Sequence, residues 1–180
     1  YIYYTTGKNG NGLSTLDCIP YLVAINYDGS FAQKIAFPFG TRLGNILMIN
    51  NKLLLFLNGK TIVYDEELNE VKSINVGSNM MLVYNEDTAI FFTNGKALFV
   101  NIEKGKVEKE YDIGKGYVSA AVVVDKDNVF YSKATKLYQL VLKTCYWGEY
   151  KDDKHTKLQT VIQKPYKLNI YSLGNFLLYT

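Results

Sequence analysis

Arginine is almost missing from this chain: Arg42 stands alone, and the other basic residues are lysines. A nucleic-acid face needs a basic patch with arginine to make forked contacts. The lysines here alternate with acids, as in KGKVEKEYD at 104–112, and the formal net charge is only +3. The composition therefore predicts no nucleic-acid partner, and the lysine skew reflects codon bias of an AT-rich genome. Cysteine occurs twice, at Cys18 and Cys145, histidine once, at His155, and tryptophan once, at Trp147. Two distant cysteines make neither a disulfide framework nor the clustered pairs of a zinc site, so neither metal nor cofactor is expected. No apolar run approaches the ~18 residues of a membrane span, and no stretch resembles a signal peptide. Membrane insertion is not expected. No asparagine lies in an N-x-S/T sequon, which favours a cytoplasmic over a secreted location.

What the chain does have is repetition. Residues 53–77, LLLFLNGKTIVYDEELNEVKSINVG, and residues 89–114, AIFFTNGKALFVNIEKGKVEKEYDIG, follow one pattern. The two NGK turns are 36 positions apart and the closing glycines 37, a period that marks a solenoid, propeller or array. With 180 residues, 48% of them hydrophobic and 21% charged, the chain can fill a core and is too apolar to be disordered; one domain is the default. Its windows alternate at period two or run apolar for five or six residues, rich in Val, Ile, Tyr and Phe and cut by Asn, Asp and Gly, which is the strand signal. The first copy resolves into strands a to d at 45–49, 53–57, 61–65 and 71–76. The second has them at 80–84, 89–93, 97–101 and 107–112.

Asn58-Gly59 and Asn94-Gly95 join strands b and c, and both pairs are expected to take positive φ in type I′ hairpins. Polar hairpins at 50–51, 85–87 and 125–128 join strands a and b. Gly40, Gly77 and Gly114 close strand d. The phase persists with decay: 117–124, 129–132, 136–142 and 158–162 make a further set, 1–5, 21–27 and 31–37 supply b, c and d of an earlier unit, and 167–171 and 176–179 supply a and b of a later one. Chain 1–180 is thus expected to be all-β, a segment of a longer propeller made of four-stranded antiparallel blades. The approximate blades are 1–40 (partial), 41–77, 78–114, 115–163 and 164–180 (partial). A β-sandwich or a stack of hairpins is the alternative.

Residues 97–114, ALFVNIEKGKVEKEYDIG, carry a strand, an acidic turn, Gly-Lys, a second strand and a closing glycine. In this they resemble the YVTN and PQQ-like propeller repeats, whose broader relatives include WD40 domains. The resemblance spans residues 53–114 and implies the propeller fold, not an activity. The chain lacks the Trp-Asp pair of WD40 blades, and residues 107–111 replace the Trp that follows Gly-Lys in quinoprotein repeats. Without vicinal cysteines or calcium-binding carboxylates, a quinoprotein activity is not implied.

The motifs that hint at chemistry have structural explanations. Gly59-Lys60-Thr61 lacks the earlier glycine and the following helix of a phosphate-binding loop. Gly7, Gly10 and Gly12 read as a solvated loop, and Asp125 and Asp127 as a polar turn lacking the glycine and distal Glu of a calcium loop. Glu66-Glu67 and Asp152-Asp153 sit in exposed turns with nothing to raise a pKa. A nucleophilic set would have to form around His155, in the charged run KDDKHTK. Two insertions interrupt the repeat, at 5–20 and 144–156. The second, TCYWGEYKDDKHT, is expected to be an irregular loop whose Tyr146, Trp147, Tyr150 and His155 contact a protein partner, since rigid scaffolds carry function on loops and aromatics anchor interfaces. Cys18 and Cys145 are expected to be free thiols on opposite faces. The function that follows is a non-enzymatic scaffold for protein–protein interaction. A cell- or virion-surface propeller recognising a glycan or host protein is one alternative, and an enzyme with an axial active site the other.

Overall fold

A computed structural model describes residues 1–5, 19–78, 80–143, 146–149, 170–173 and 176–179, with side chains described up to Lys143. Every regular element among these residues is a strand. The chain divides into two compact units, Tyr1–Ser78 and Asn79–Thr180.

In the first unit β1 (Ile2–Thr5), β2 (Tyr21–Ile25) and β3 (Phe31–Ala36) form a three-stranded antiparallel meander. The strands β4 (Leu43–Ile49), β5 (Lys52–Leu57), β6 (Lys60–Tyr64) and β7 (Glu70–Ile74) form a four-stranded one. Leu53, Leu54, Leu55, Ile62 and Val63 are fully buried because β5 and β6 are central strands, apolar on both faces. Strand β7 alternates charge instead and is mostly exposed, as an outer edge should be. Leu22 and Ala24 from one sheet meet Leu53, Leu55, Ile62 and Tyr64 from the other in a single core.

The second unit repeats this arrangement. β8 (Met80–Val83), β9 (Thr88–Phe92), β10 (Lys96–Asn101) and β11 (Lys106–Asp112) make one four-stranded meander. β12 (Val118–Asp125), β13 (Asn128–Lys133), β14 (Lys136–Val141) and β15 (Tyr146–Glu149) make the next, and β16 (Ile170–Leu173) pairs with β17 (Phe176–Tyr179). Ile90, Phe92 and Phe99 pack with Val129, Tyr131 and Leu140 between the two larger sheets. The inner strand β12 runs beside both β8 and β16.

The sequence period reappears as geometry. The third and fourth strands of both complete repeats slip register at one place, between Val63 and Tyr64 and between Phe99 and Val100. Val71 and Glu108 are the extra residues, 37 positions apart, and a similar slip at Ala24/Ile25 leaves Ala32 unopposed. A bulge at a fixed phase bends the outer strand identically each time. The closing glycines lie against the b–c turns. The Ile113 N–H donates to Gly95 O (2.8 Å), and a Cβ on Gly77 would come within 2.6 Å of Gly59 O.

Two expectations need correction. Asn58 and Gly59 both have positive φ, 47° and 90°, but in the second copy only Gly95 does, at 95°. The Thr93 N–H bonds Lys96 O across that turn, which closes in the manner of a type II turn, where the second central residue alone must be left-handed. The second correction concerns the fourth strand after β14. It is β15, with Leu140 opposite Trp147 and Val141 opposite Tyr146. Residues 146–149 are therefore not an irregular insertion: once the sheet offers an open edge, a short aromatic segment pairs with it whatever its distance from the expected phase. Residues 158–162, the glycine loop, both cysteines and Asp152-Asp153 lie outside the described residues.

Candidate functional site

The second unit contains a cleft of about 290 Å³ where the sheet β8–β11 meets the sheet β12–β15. Each wall follows from the repeat. The hairpin after β8 contributes Tyr84, Asn85 and Thr88, and the equivalent hairpin after β12 contributes Lys126 and Asp127. The bulged outer strand β11 adds Glu108, Lys109 and Tyr111, Phe99 comes from β10, and Leu142 and Lys143 from the turn after β14.

The turns are rigidly braced. Asn85 Oδ1 accepts the N–H groups of Asp87 (3.0 Å) and Thr88 (2.8 Å), an Asx arrangement that fixes the first hairpin. Asp125 does the same in the second, accepting from the Asp127 N–H (2.7 Å) and from Asn128 Nδ2. These bonds hold the Asp125 carboxyl below its ordinary pKa. In both sheets the hairpin carbonyl then receives an N–H from the far turn: Ile102 to Asp87 O and Leu142 to Asp127 O, each 2.8 Å.

Aromatic rings form the floor. Tyr84 meets Phe99 edge-on, with centroids 4.9 Å apart, and Phe99 meets Tyr111 at 5.3 Å, in the geometry ring quadrupoles favour. The Tyr84 hydroxyl donates to Lys126 O (2.7 Å) and so ties one hairpin to the next. Burial raises the Tyr84 pKa, and the negative charges of Asp127 and Asp125 add to the shift. Lys109, Lys126 and Lys143 are exposed around the rim. Of the two lining acids, Glu108 is held by Lys104 (2.7 Å), which raises the lysine's pKa. The arrangement offers aromatic surface and positive charge. Among the described residues no group of three His, Cys, Asp or Glu side chains could hold a metal ion.

The residues expected from sequence to bind a partner are not brought together here. Tyr146 and Trp147 lie on β15, the outer strand of its sheet, and Tyr150 and His155 are outside the described residues. The cleft itself was missed. Its signal was the hairpin phase, since Tyr84 and Lys126 flank equivalent a–b turns and must emerge at the same end of adjacent sheets.

No protein-family model and no curated protein matches the chain. Solved structures do. The WD40 β-propeller domain of Doa1 superposes with a TM-score of 0.65 at 10% identity, covering 89% of this chain and 53% of that one. The β-propeller domain of Cps50 (Swd1) from Myceliophteria thermophila gives 0.57 at 10% identity, covering 76% and 48%. The chain thus spans about half the length of these structures. At such identity the likeness is one of fold, and the fold is that of a β-propeller segment built of four-stranded antiparallel blades.

Proposed function

We propose that this protein is a non-enzymatic propeller scaffold that binds other proteins. One observation carries the reading: the repeated residues serve the frame, while the exposed residues that differ between repeats gather at turns and outer strands. Asn58 shows the first half, since its Oδ1 accepts the Arg42 N–H (3.1 Å) and its own backbone closes a hairpin. The cleft shows the second. A rigid frame presenting variable loops is a binding arrangement more than a catalytic one. Affinity capture from native extract with the tagged 180-residue chain tests this. A saturable complex with a defined protein is expected; no protein partner, together with hits on a glycan array, would shift the function to carbohydrate recognition.

The aromatic residues near β15 belong to the same proposal, with Tyr146, Trp147, Tyr150 and His155 as partner contacts. Their support is now the place of β15 as the outer strand of its sheet among the described residues, and the concentration of aromatics in the sequence beside it. Trp147→Ala should weaken the captured complex by about 2 kcal/mol with stability nearly unchanged. A stability loss of ~3–5 kcal/mol would instead make the tryptophan a packing residue. Among propellers, the acidic turn, Gly-Lys and closing glycine of residues 97–114 favour the YVTN and PQQ-like class.

A further inference from the structure

We propose that the cleft between the sheets β8–β11 and β12–β15 takes an acidic segment of a partner polypeptide, with an apolar or aromatic side chain seated on the ring floor and flanking carboxylates on the lysine rim. This rests on the scaffold reading and names the chemistry of one partner contact.

Charge is the first argument. Lys109, Lys126 and Lys143 line the opening, and among the described residues no ion pair engages any of them. Glu108 is already satisfied by Lys104, which leaves Asp127 as the single unpaired carboxylate on the lining. Asp125, behind Lys126, is committed to its own turn through Asn128 and the Asp127 N–H. The rim therefore keeps an excess of positive charge, whereas Lys96 and Lys104 are engaged by Glu110 (2.8 Å) and Glu108 (2.7 Å) of the outer strand β11. An acidic segment would complement that excess and be steered by it.

The floor is the second argument. Phe99 is buried, while Tyr84 and Tyr111 are only half-buried and turn ring surface toward the cleft. The bond from its hydroxyl to Lys126 O holds Tyr84 in place, so the apolar seat exists before any ligand arrives. A seat organised in advance lowers the ordering cost of binding. The bulge at Glu108 supplies the third argument: it leaves Glu108 without a cross-strand partner residue, so that both Glu108, engaged by Lys104, and Lys109 come to line the cleft.

The test is fluorescence anisotropy of a labelled peptide of Asp and Glu around one Phe, titrated with the 180-residue chain. Saturable binding is expected, about tenfold tighter than for the same peptide with Asn and Gln, and weakening as salt rises. Lys109→Glu, Lys126→Glu and Lys143→Glu combined should weaken it about tenfold or more at an unchanged urea midpoint. Should that variant lose stability, the single change Lys143→Gln should still weaken binding about twofold to threefold. Equal binding of the two peptides, or binding that survives charge reversal, overturns the proposal. So does binding of ATP that charge reversal abolishes when the acidic peptide does not bind. A partner captured from extract whose affinity ignores all three lysines leaves the scaffold reading standing and removes this one.

Discussion

Gly77→Ala places one methyl group where the repeat leaves no room. The ideal Cβ would lie 2.6 Å from Gly59 O, 2.9 Å from Gly59 C and 2.7 Å from Phe56 Cε2. Two of these are backbone atoms of a tight turn, so a rotamer change cannot clear them. The ring of Phe56 is confined as well, because on its other side it fills the space a Cβ on Gly44 would occupy, 2.2 Å from Cδ1. Nor can the segment swing out, since the Thr61 hydroxyl donates to Val76 O at 2.8 Å. Ordinary carbon–oxygen contact would require the turn to retreat by roughly 0.7 Å, and overpacking of this kind costs about 1–3 kcal/mol. The φ of Gly77 is not left-handed, so the alanine backbone is unstrained and its lower unfolded-state entropy returns about 0.5 kcal/mol. A net loss of about 1–2 kcal/mol should appear as a lower urea midpoint at constant m-value. In a Phe56→Leu background the same change should cost about 1 kcal/mol less, as contacting sites couple. If Gly77→Ala alone leaves the midpoint unchanged or raises it, the packing of closing glycine on b–c turn is wrong.

Gly59→Val should destabilise by more than ~1 kcal/mol for a different reason, since nothing lies within 4 Å of its Cβ but its φ of 90° strains a β-branched residue; an unaltered melting curve would refute the turn. Tyr131→Phe should be neutral or stabilising, because that hydroxyl is fully buried and has no hydrogen-bond partner among the described residues; a loss above ~1 kcal/mol in thermal melts would reveal one. Lys133→Met keeps the buried stem and removes an ammonium that donates to Ile113 O (2.5 Å) and Gly114 O (3.2 Å), a loss of about 2 kcal/mol after relief of its desolvation, readable by urea titration. Tyr64, pushed up to about 12 by burial and then by Glu70, binds its proton more tightly folded than unfolded, so its contribution is complete below pH 10 and lost as pH climbs from 10 toward 12; alkaline melts should flatten in that window in Tyr64→Phe.

The sheets were legible because their signals are local. An apolar run between two polar turns names a central strand, as for residues 53–57, and an alternation of charge names an outer one, as for residues 107–112. The cleft was not legible in the same way. Its floor depends on Tyr84, Phe99 and Tyr111 converging from β8, β10 and β11, and on a bulge that no composition rule announces. The strand β15 was missed for a related reason: its pairing is decided by an unoccupied edge in three dimensions, while residues 146–149 read locally as an aromatic interruption. Local rules foresaw which residues hold the frame, and long-range geometry decided which exposed ones share a surface.

The b–c turn that follows β13 shows how a repeat can lose its sequence and keep its task. Where the earlier copies have Asn-Gly, this turn has Ala134-Thr135, and Ala134 still takes the left-handed conformation at φ 52°, close to the 47° of Asn58. Alanine there costs about 1 kcal/mol, because its Cβ crowds the following carbonyl. In the first complete repeat the same turn holds the connector entering its own sheet: Asn58 exchanges hydrogen bonds with Arg42, accepting at Oδ1 and donating from its backbone N–H to Arg42 O. An alanine keeps the backbone N–H but has no side-chain oxygen to accept the second bond. The neighbouring position takes over, and Lys133, 8% exposed, lies beside the stacked rings of Tyr138 (4.5 Å from Nζ to the centroid) and Tyr131 (5.7 Å) and reaches the carbonyls of Ile113 and Gly114 on the entering connector. A cation over two aromatic faces is stabilised in the low dielectric that otherwise lowers its pKa. One buried charge thus replaces a turn asparagine as the clasp between connector and sheet, so this copy can depart from the Asn-Gly sequence while the β13–β14 hairpin keeps an unbroken register.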